Sequence, residues 1–283
     1  MVRSMFAAVS GLRNHQIMMD VIASNISNVN TFGYKSSRAT FKDSLYQNLA
    51  GAAAPVPPSL GGTNPRQVGL GMTINSIDTL TTQGNAQNSG VVTDMMVQGD
   101  GYFRVAANGA KFGGAGGEDL TAGGEIYTRA GNISIDSAGQ LVSTVGNYVL
   151  GTVTATGNIG RLQIDPAVAV AVSVDSGGGV QYTDAGGATT SVGTISLAKF
   201  ANAAGLERAG NNAWRESNNS GAAVNGAPGG VAGHGLLVPG ALEMSNVDLA
   251  LEFTNMIVAQ RGFQANGRAI TTSDEMLQEL VNL

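Results

Sequence analysis

Apolar residues recur every seven positions at both ends of this chain, and no other feature restricts its fold as strongly. Met5, Leu12, Met19 and Ile26 lie seven apart near the N-terminus, and Leu249, Met256, Phe263, Ile270 and Leu277 do so near the C-terminus. On a helix, a strict repeat of seven draws a narrow stripe that seats in a partner helix. The pattern predicts one helix over 4–27, roughly 23 residues and about 34 Å long. A second is expected from Ser245 to Asn282, roughly 37 residues and about 55 Å. Ser245 followed by Asp248 reads as a capping box at its start. Gly262 and Gly267 each cost about 1 kcal/mol in a helix interior, and Thr272 with Glu275 offers a second start, so a break near 271 is an open alternative. Val9 and Phe253 add apolar surface beyond one seam. Pairing of the two helices with each other satisfies one seam each, and the remaining faces call for neighbouring copies.

The middle of the chain has a different grammar. Glycine supplies 41 of the 283 residues, about twice ordinary usage, and the accompanying Asn, Ser and Thr suit turns. Pro55, Pro57, Pro58, Gly61 and Gly62 mark an extended connection. Beyond it, short apolar runs alternate with turn signals. Gly99-Asp100-Gly101 between MMVQ and YFRV predicts a hairpin, and Asp136-Ser137-Ala138-Gly139 between two apolar runs predicts another. The run 168–174 and the glycines at 177–179 and 186–187 continue the sheet, and Trp214 is a candidate local anchor. The expected fold class is α+β: terminal helices forming a coiled-coil-like core, plus a β-rich, antiparallel, hairpin-rich domain. The expected division is a helical core over 1–30 and 243–283, a connecting segment over 31–71, a β-rich domain over 72–153 and 196–242, and a short glycine-rich β insertion over 154–195.

Composition removes several function classes. With a formal net charge of −5 and few charged residues, the chain has no basic footprint for nucleic acid. It has no cysteine, hence no disulfide, thiol nucleophile or cysteine metal site. Arg3 and a brief apolar run are interrupted by Ser10, Arg13, Asn14 and His15, so no cleaved Sec signal is expected, and no apolar window is long enough to span a bilayer. Gly113, Gly114, Gly116 and Gly117 before Glu118 match a calcium β-roll repeat only once and imperfectly; a plain loop is expected. His15 and His234 are too few for a zinc site and are expected at the surface. Asp165, Asp175 and Asp184 sit in turns without acid–base spacing. No catalytic, cofactor or metal residues are assigned. A hydrolase or carbohydrate-binding β protein is the competing class that composition leaves open.

Specific motifs add to this. The opening MFAAVSGLRNHQIMMDVIASNISNVNTFGYKSSRATFKD resembles the N-terminus of bacterial flagellar axial proteins, with Asn25, Asn28, Asn30, Gly33, Tyr34 and Lys35 in its signature. NPRQVGLGMTINSIDTLTTQGNAQNSG, MVQGDGYFRV, YTRAGNISIDSAGQLV and the C-terminal LEMSNVDLALEFTNMIVAQRGFQANGRAITTSDEMLQELVNL are similar to hook proteins of that family more than to its rod proteins. The resemblance covers about 1–105, 125–153 and 196–283. Where hook proteins insert a sizeable outer domain, only 154–195 is available here.

The resemblance implies a structural subunit of the flagellar hook, a flexible helical tube that passes motor torque to the filament; the alternative is the distal rod protein, a stiff drive shaft. It further implies self-association into a homopolymer, and contact with distal rod, hook-cap and hook–filament junction proteins. The location implied is extracellular, reached through the flagellar type III export apparatus without a cleaved signal. Met5, Val9, Leu12, Met19, Ile26, Leu249, Phe253, Met256, Phe263, Ile270 and Leu277 are the expected assembly residues.

Overall fold

A computed structural model describes residues 2–55, 61–107, 110–113, 119–122, 124–154, 157–230 and 233–282. The glycines at 114, 116 and 117 weighed above as a calcium loop lie outside the described residues. The chain is α+β, and its contacts divide it into two compact units. One comprises Met1–Ser27, Ser37–Leu80 and Asp248–Leu283, the other Asn28–Ser36 and Thr81–Val247.

The first unit contains two long helices, α1 (Val2–Ser27) and α2 (Leu249–Asn282). They pair in antiparallel fashion: Gly11 meets Asn266, His15 meets Gly262 and Asn25 meets Glu252. The start of α2 differs from expectation. Asp248 is the N-cap, its carboxylate accepting from the N–H groups of Ala250 (2.9 Å) and Leu251 (3.2 Å), whereas the Ser245 hydroxyl accepts from Val247 N–H before the helix begins. The Asp248 carboxylate, at the position directly before the first helical residue, reaches the first free N–H groups. No break occurs near 271. Thr271, Thr272 and Ser273 turn their hydroxyls back onto the carbonyls of Arg268 and Ala269, a bonding mode that accommodates these residues within a helix.

Strands also belong to this unit. Residues 31–71, expected as a connecting segment, contain Ser37–Asp43, Tyr46–Ala50 and Arg66–Gly69. Ser37–Asp43 pairs with Met72–Thr79 across a bulge at Thr40/Phe41, and Tyr46–Ala50 pairs with Arg66–Gly69. Ser10 and Asn14 anchor α1 to the first of these ribbons through the Met72 backbone: the Ser10 hydroxyl accepts from its N–H and Asn14 donates to its carbonyl.

The second unit is built on two antiparallel sheets. One runs, edge to edge, Glu207–Gly210, Ala213–Arg215, Glu125–Thr128, Tyr102–Ala106, Leu197–Lys199, Val224–Gly226. The other runs Ala169–Val174, Gly179–Asp184, Thr189–Ile195, Leu150–Val153, Ile159–Arg161, Asp119–Ala122, Lys111–Gly113. One core holds them, with Phe103, Val105, Val149, Val180, Ile195 and Leu197 buried together. The strands within 154–195 are therefore continuous with the larger sheet through Thr189–Ile195 and Leu150–Val153. A satellite cluster gathers Tyr102, Tyr127, Phe200, Leu206 and Trp214, so Trp214 is a local anchor.

The hairpin predicted at Asp136–Gly139 forms, with Ile133 opposite Ser143 and Ile135 opposite Leu141. The one predicted at Gly99-Asp100-Gly101 does not. Met95–Gln98 pairs with Leu236–Pro239, and Tyr102–Ala106 pairs with Glu125–Thr128 and Leu197–Lys199. Distant groups hold the turn: Gly99 N–H donates to Gln83, and the carbonyls of Gly99 and Asp100 accept from Arg129 and Gly235 N–H. Backbone groups satisfied this way leave the flanking strands free to separate.

Candidate functional site

The helix pair is the first candidate surface. Its closest packing uses small and polar side chains rather than the apolar stripe. On α2 the buried residues are Ala259 and Ser273, and the same seven-residue series holds Glu252 and Asn266. On α1, Ala8, Asn14, Ile22 and Asn25 are buried. A Cβ on Gly11 would sit 2.6 Å from Asn266 Nδ2, and one on Gly262 would sit 2.6 Å from the His15 ring. The missing side chains admit the neighbouring helix at close range. His15 thus lies in the seam, edge-on to Phe41, and is not the surface residue expected.

The expected assembly residues lie beside this seam and not in it. Met5, Leu12, Met19, Ile26, Met256, Ile270 and Leu277 are half-buried, while Val9, Leu249, Phe253 and Phe263 are exposed. Exposed beside them are Phe6, Leu251, Ile257, Val258, Met276, Leu280 and Val281. Scattered apolar exposure is ordinary on a protein surface; its concentration along one pair of helices makes that pair a candidate interaction surface.

The signature residues act differently. Asn25 locks the end of α1: its carboxamide oxygen accepts from Ser37 N–H (2.9 Å), and its nitrogen donates to the Ser37 carbonyl (2.8 Å) and to Glu252 (3.0 Å). Burial raises the Glu252 pKa, with the Asn25 hydrogen bond opposing and the Asp248 charge assisting. Asn28 closes the following turn by accepting from Thr31 through both its carbonyl and its side chain. Asn30 is exposed and lines a cleft of about 440 Å³ with Asn28, Phe32, Asn132, Asn211 and Asn212.

Gly33, Tyr34 and Lys35 form a buried clamp within the second unit. Gly33 has a φ of +69°, and a Cβ there would meet the Ala130 nitrogen at 2.6 Å; its N–H donates to the Glu243 carbonyl. Lys35 Nζ lies 2.6 Å from Glu243 Oε1, at side-chain exposures of 1% and 0%, and Arg129 Nη1 lies 3.2 Å from Glu243 Oε2. Lys35 also donates to the Thr82 carbonyl, and Gly84 N–H to Glu243. Burial pushes the Lys35 pKa down even though Glu243 opposes it. Arg208 stacks between the rings of Tyr34 and Trp214 and donates to the Lys35 carbonyl. Glu243, Arg129 and Arg208 escaped the sequence reading because no local spacing links them to residue 35. The one available hint was an acidic residue in the apolar run ALEM.

His234, also expected at the surface, is buried; its Nε2 donates to the Val224 carbonyl and its ring covers Gly226. Asp165 and Asp175 are exposed and cap turns through Ala167 and Gly179 N–H. A cavity of about 310 Å³ is lined by Asp100, Tyr102, Arg129, Lys199 and Asn202 among others. Among the described residues, no group of three or more histidines and carboxylates is placed to hold a metal ion. Among them, too, no helix is long and apolar enough to cross a membrane.

Comparison with known proteins assigns these elements. Residues 5–35 match the family described as flagella basal body rod protein, residues 96–182 the flagellar hook protein FlgE/F/G D1 domain, and residues 238–283 the flagellar basal body rod FlgEFG protein C-terminal family. The chain is 46% identical over 284 residues to the flagellar basal-body rod protein FlgG of Bacillus subtilis, covering 100% of this chain and 99% of the relative. It is 35% identical to FlgG of Borreliella burgdorferi, again over 100% and 99%. The flagellar hook protein FlgE of the same organism is 29% identical, over an alignment of 444 positions that covers all of both chains. Two helices with a small-residue seam, apolar outer faces and a clamp around the signature lysine thus occur in a chain that belongs to the flagellar basal-body rod and hook protein family, whose members are structural.

Proposed function

We propose that this chain is the distal rod subunit of the flagellar basal body, the stiff segment of the drive shaft, rather than the hook subunit. The observation that carries this reading is the full-length 46% match to a basal-body rod protein, with both chains covered almost end to end. The hook relative needs 444 aligned positions to accommodate this chain of 283 residues. Assembly proceeds through the terminal helices, whose exposed apolar faces are covered by sister copies. A subunit that presents different patches to successive neighbours makes heterologous contacts, and these extend into a helical tube when rotation does not close a ring. Contact with adjoining flagellar components at either end of the rod, and delivery through the type III export apparatus, belong to the same proposal.

Deletion of the gene followed by electron microscopy of isolated basal bodies tests it. The expected result is basal bodies lacking the distal rod. Complete rods that carry no hook overturn the reading in favour of the hook subunit.

A further inference from the structure

The first unit contains a groove on the side of α1 turned away from α2. Phe6, Val9, Arg13 and Ile17 on α1, with Met72 and Ile74 on the adjacent strand, enclose about 530 Å³. Phe6 is 69% exposed at this groove. At about 100° per residue the groove positions lie roughly 160° around α1 from the seam positions Ala8, Gly11 and His15. The chain's own α2 therefore packs on the other side and leaves the groove open.

The last turns of α2 offer the complementary shape and charge. Met276, Leu280 and Val281 are exposed, Val281 to 83%, at the i, i+4, i+5 spacing of a helix that docks by one apolar edge. Residues 271–283 include Asp274, Glu275 and Glu279 and no basic residue, whereas residues 1–19 include Arg3 and Arg13 and no acidic one. Among the described residues, none of these five takes part in an ion pair within the chain.

We propose that this groove receives the C-terminal turns of α2 from a second copy, Met276 and Leu280 entering beside Phe6 and Val9 while Glu279 meets Arg13. The inference rests on the reading of this chain as a polymer subunit and supplies that polymer with a specific contact. Groove and tail are different surfaces at opposite ends of the exchange, so each copy that receives a tail still offers its own. The contact propagates when the second copy's tail goes to a third copy and not back to the first.

The absence of cysteine from the chain makes the test direct. Full-length protein carrying Val9→Cys is mixed with protein carrying Leu280→Cys, concentrated until polymer is seen by electron microscopy, and oxidised. The expected outcome is a disulfide between the two differently tagged chains, at a yield at least tenfold above a control pairing Leu280→Cys with Val170→Cys. Adding Arg13→Glu to the first protein lowers that yield at least fivefold, and Glu279→Lys in the second restores it. Polymers whose cross-linking stays at the control level overturn the groove assignment and leave the polymer reading intact. A disulfide formed within a single chain carrying both cysteines, in dilute protein, also overturns it. Protein that forms no polymer at any concentration overturns both.

Discussion

Leu197 and Ile257 are similar side chains in different units: Leu197, in the six-stranded sheet, is 0% exposed, and Ile257, on α2, is 58% exposed. The contrast extends to their surroundings. In the second unit, Phe103, Val105, Val149 and Ile195 close over one another, and even the charged residues Lys35, Arg129 and Glu243 are buried together. In the first unit the two helices approach each other at Gly11 beside Asn266 and at Gly262 beside His15, and large apolar residues face outward. One unit completes its burial within a single chain. The other leaves large apolar side chains outward, and under the proposed assembly it is neighbouring copies that would cover them.

The comparison breaks most visibly at Glu243. Glu243→Ala strands two buried cations, and removing one partner of a buried ionic group costs about 3–5 kcal/mol; urea unfolding followed by circular dichroism is expected to show the loss in the β unit while the helical signal persists. Matched truncations come next. Leu197→Ala is expected to cost about 2–5 kcal/mol, whereas Ile257→Ala changes monomer stability by no more than about 0.5 kcal/mol and raises the concentration needed for polymerisation, read by sedimentation. A loss at Ile257 as large as that at Leu197 would contradict the contrast between the two units.

Two glycines on α2 sharpen the description of the seam. Gly262→Ala drives a methyl group into the His15 ring, and such overpacking costs about 1–3 kcal/mol, against about 1 kcal/mol of gained helix propensity. A Cβ added at Gly267 would meet nothing within 4 Å, so Gly267→Ala gains the propensity alone, about 0.4–1 kcal/mol. Thermal unfolding of the two variants should therefore shift in opposite directions.

The smallest effect concerns pH. Because burial raises the Glu252 pKa above its ordinary 4.5, the folded protein retains a proton there that the unfolded chain has already lost. Acidification from neutrality toward 4.5 thus favours the folded helix pair through this group, and the contribution declines as pH rises through the raised pKa. Glu252→Gln is expected to flatten that part of the stability profile, measured by denaturant midpoints across the range.

The helices, their approximate limits and the strand-rich middle were legible because periodicity and turn chemistry are local. A repeat of seven names a helix wherever it folds, and Asp-Ser-Ala-Gly bends a chain on its own authority. The same locality explains the errors. The stripe of Met5, Leu12, Met19 and Ile26 drew attention to bulk, but helices approach most closely where bulk is absent, and the seam therefore follows Ala8, Gly11, Ala259 and Ser273. At Gly99-Asp100-Gly101 the turn formed as predicted by its glycines, yet its flanking strands found other partners.

The sequence by itself thus determined the two terminal helices, the strand-rich middle and the family signature, since each depends on residues a few positions apart. Only the tertiary structure decided that Lys35 is a buried clamp rather than an exposed contact. Its counter-ion Glu243 lies 208 positions away along the chain, and the low-dielectric environment that pairs them exists only after the intervening sheets have closed.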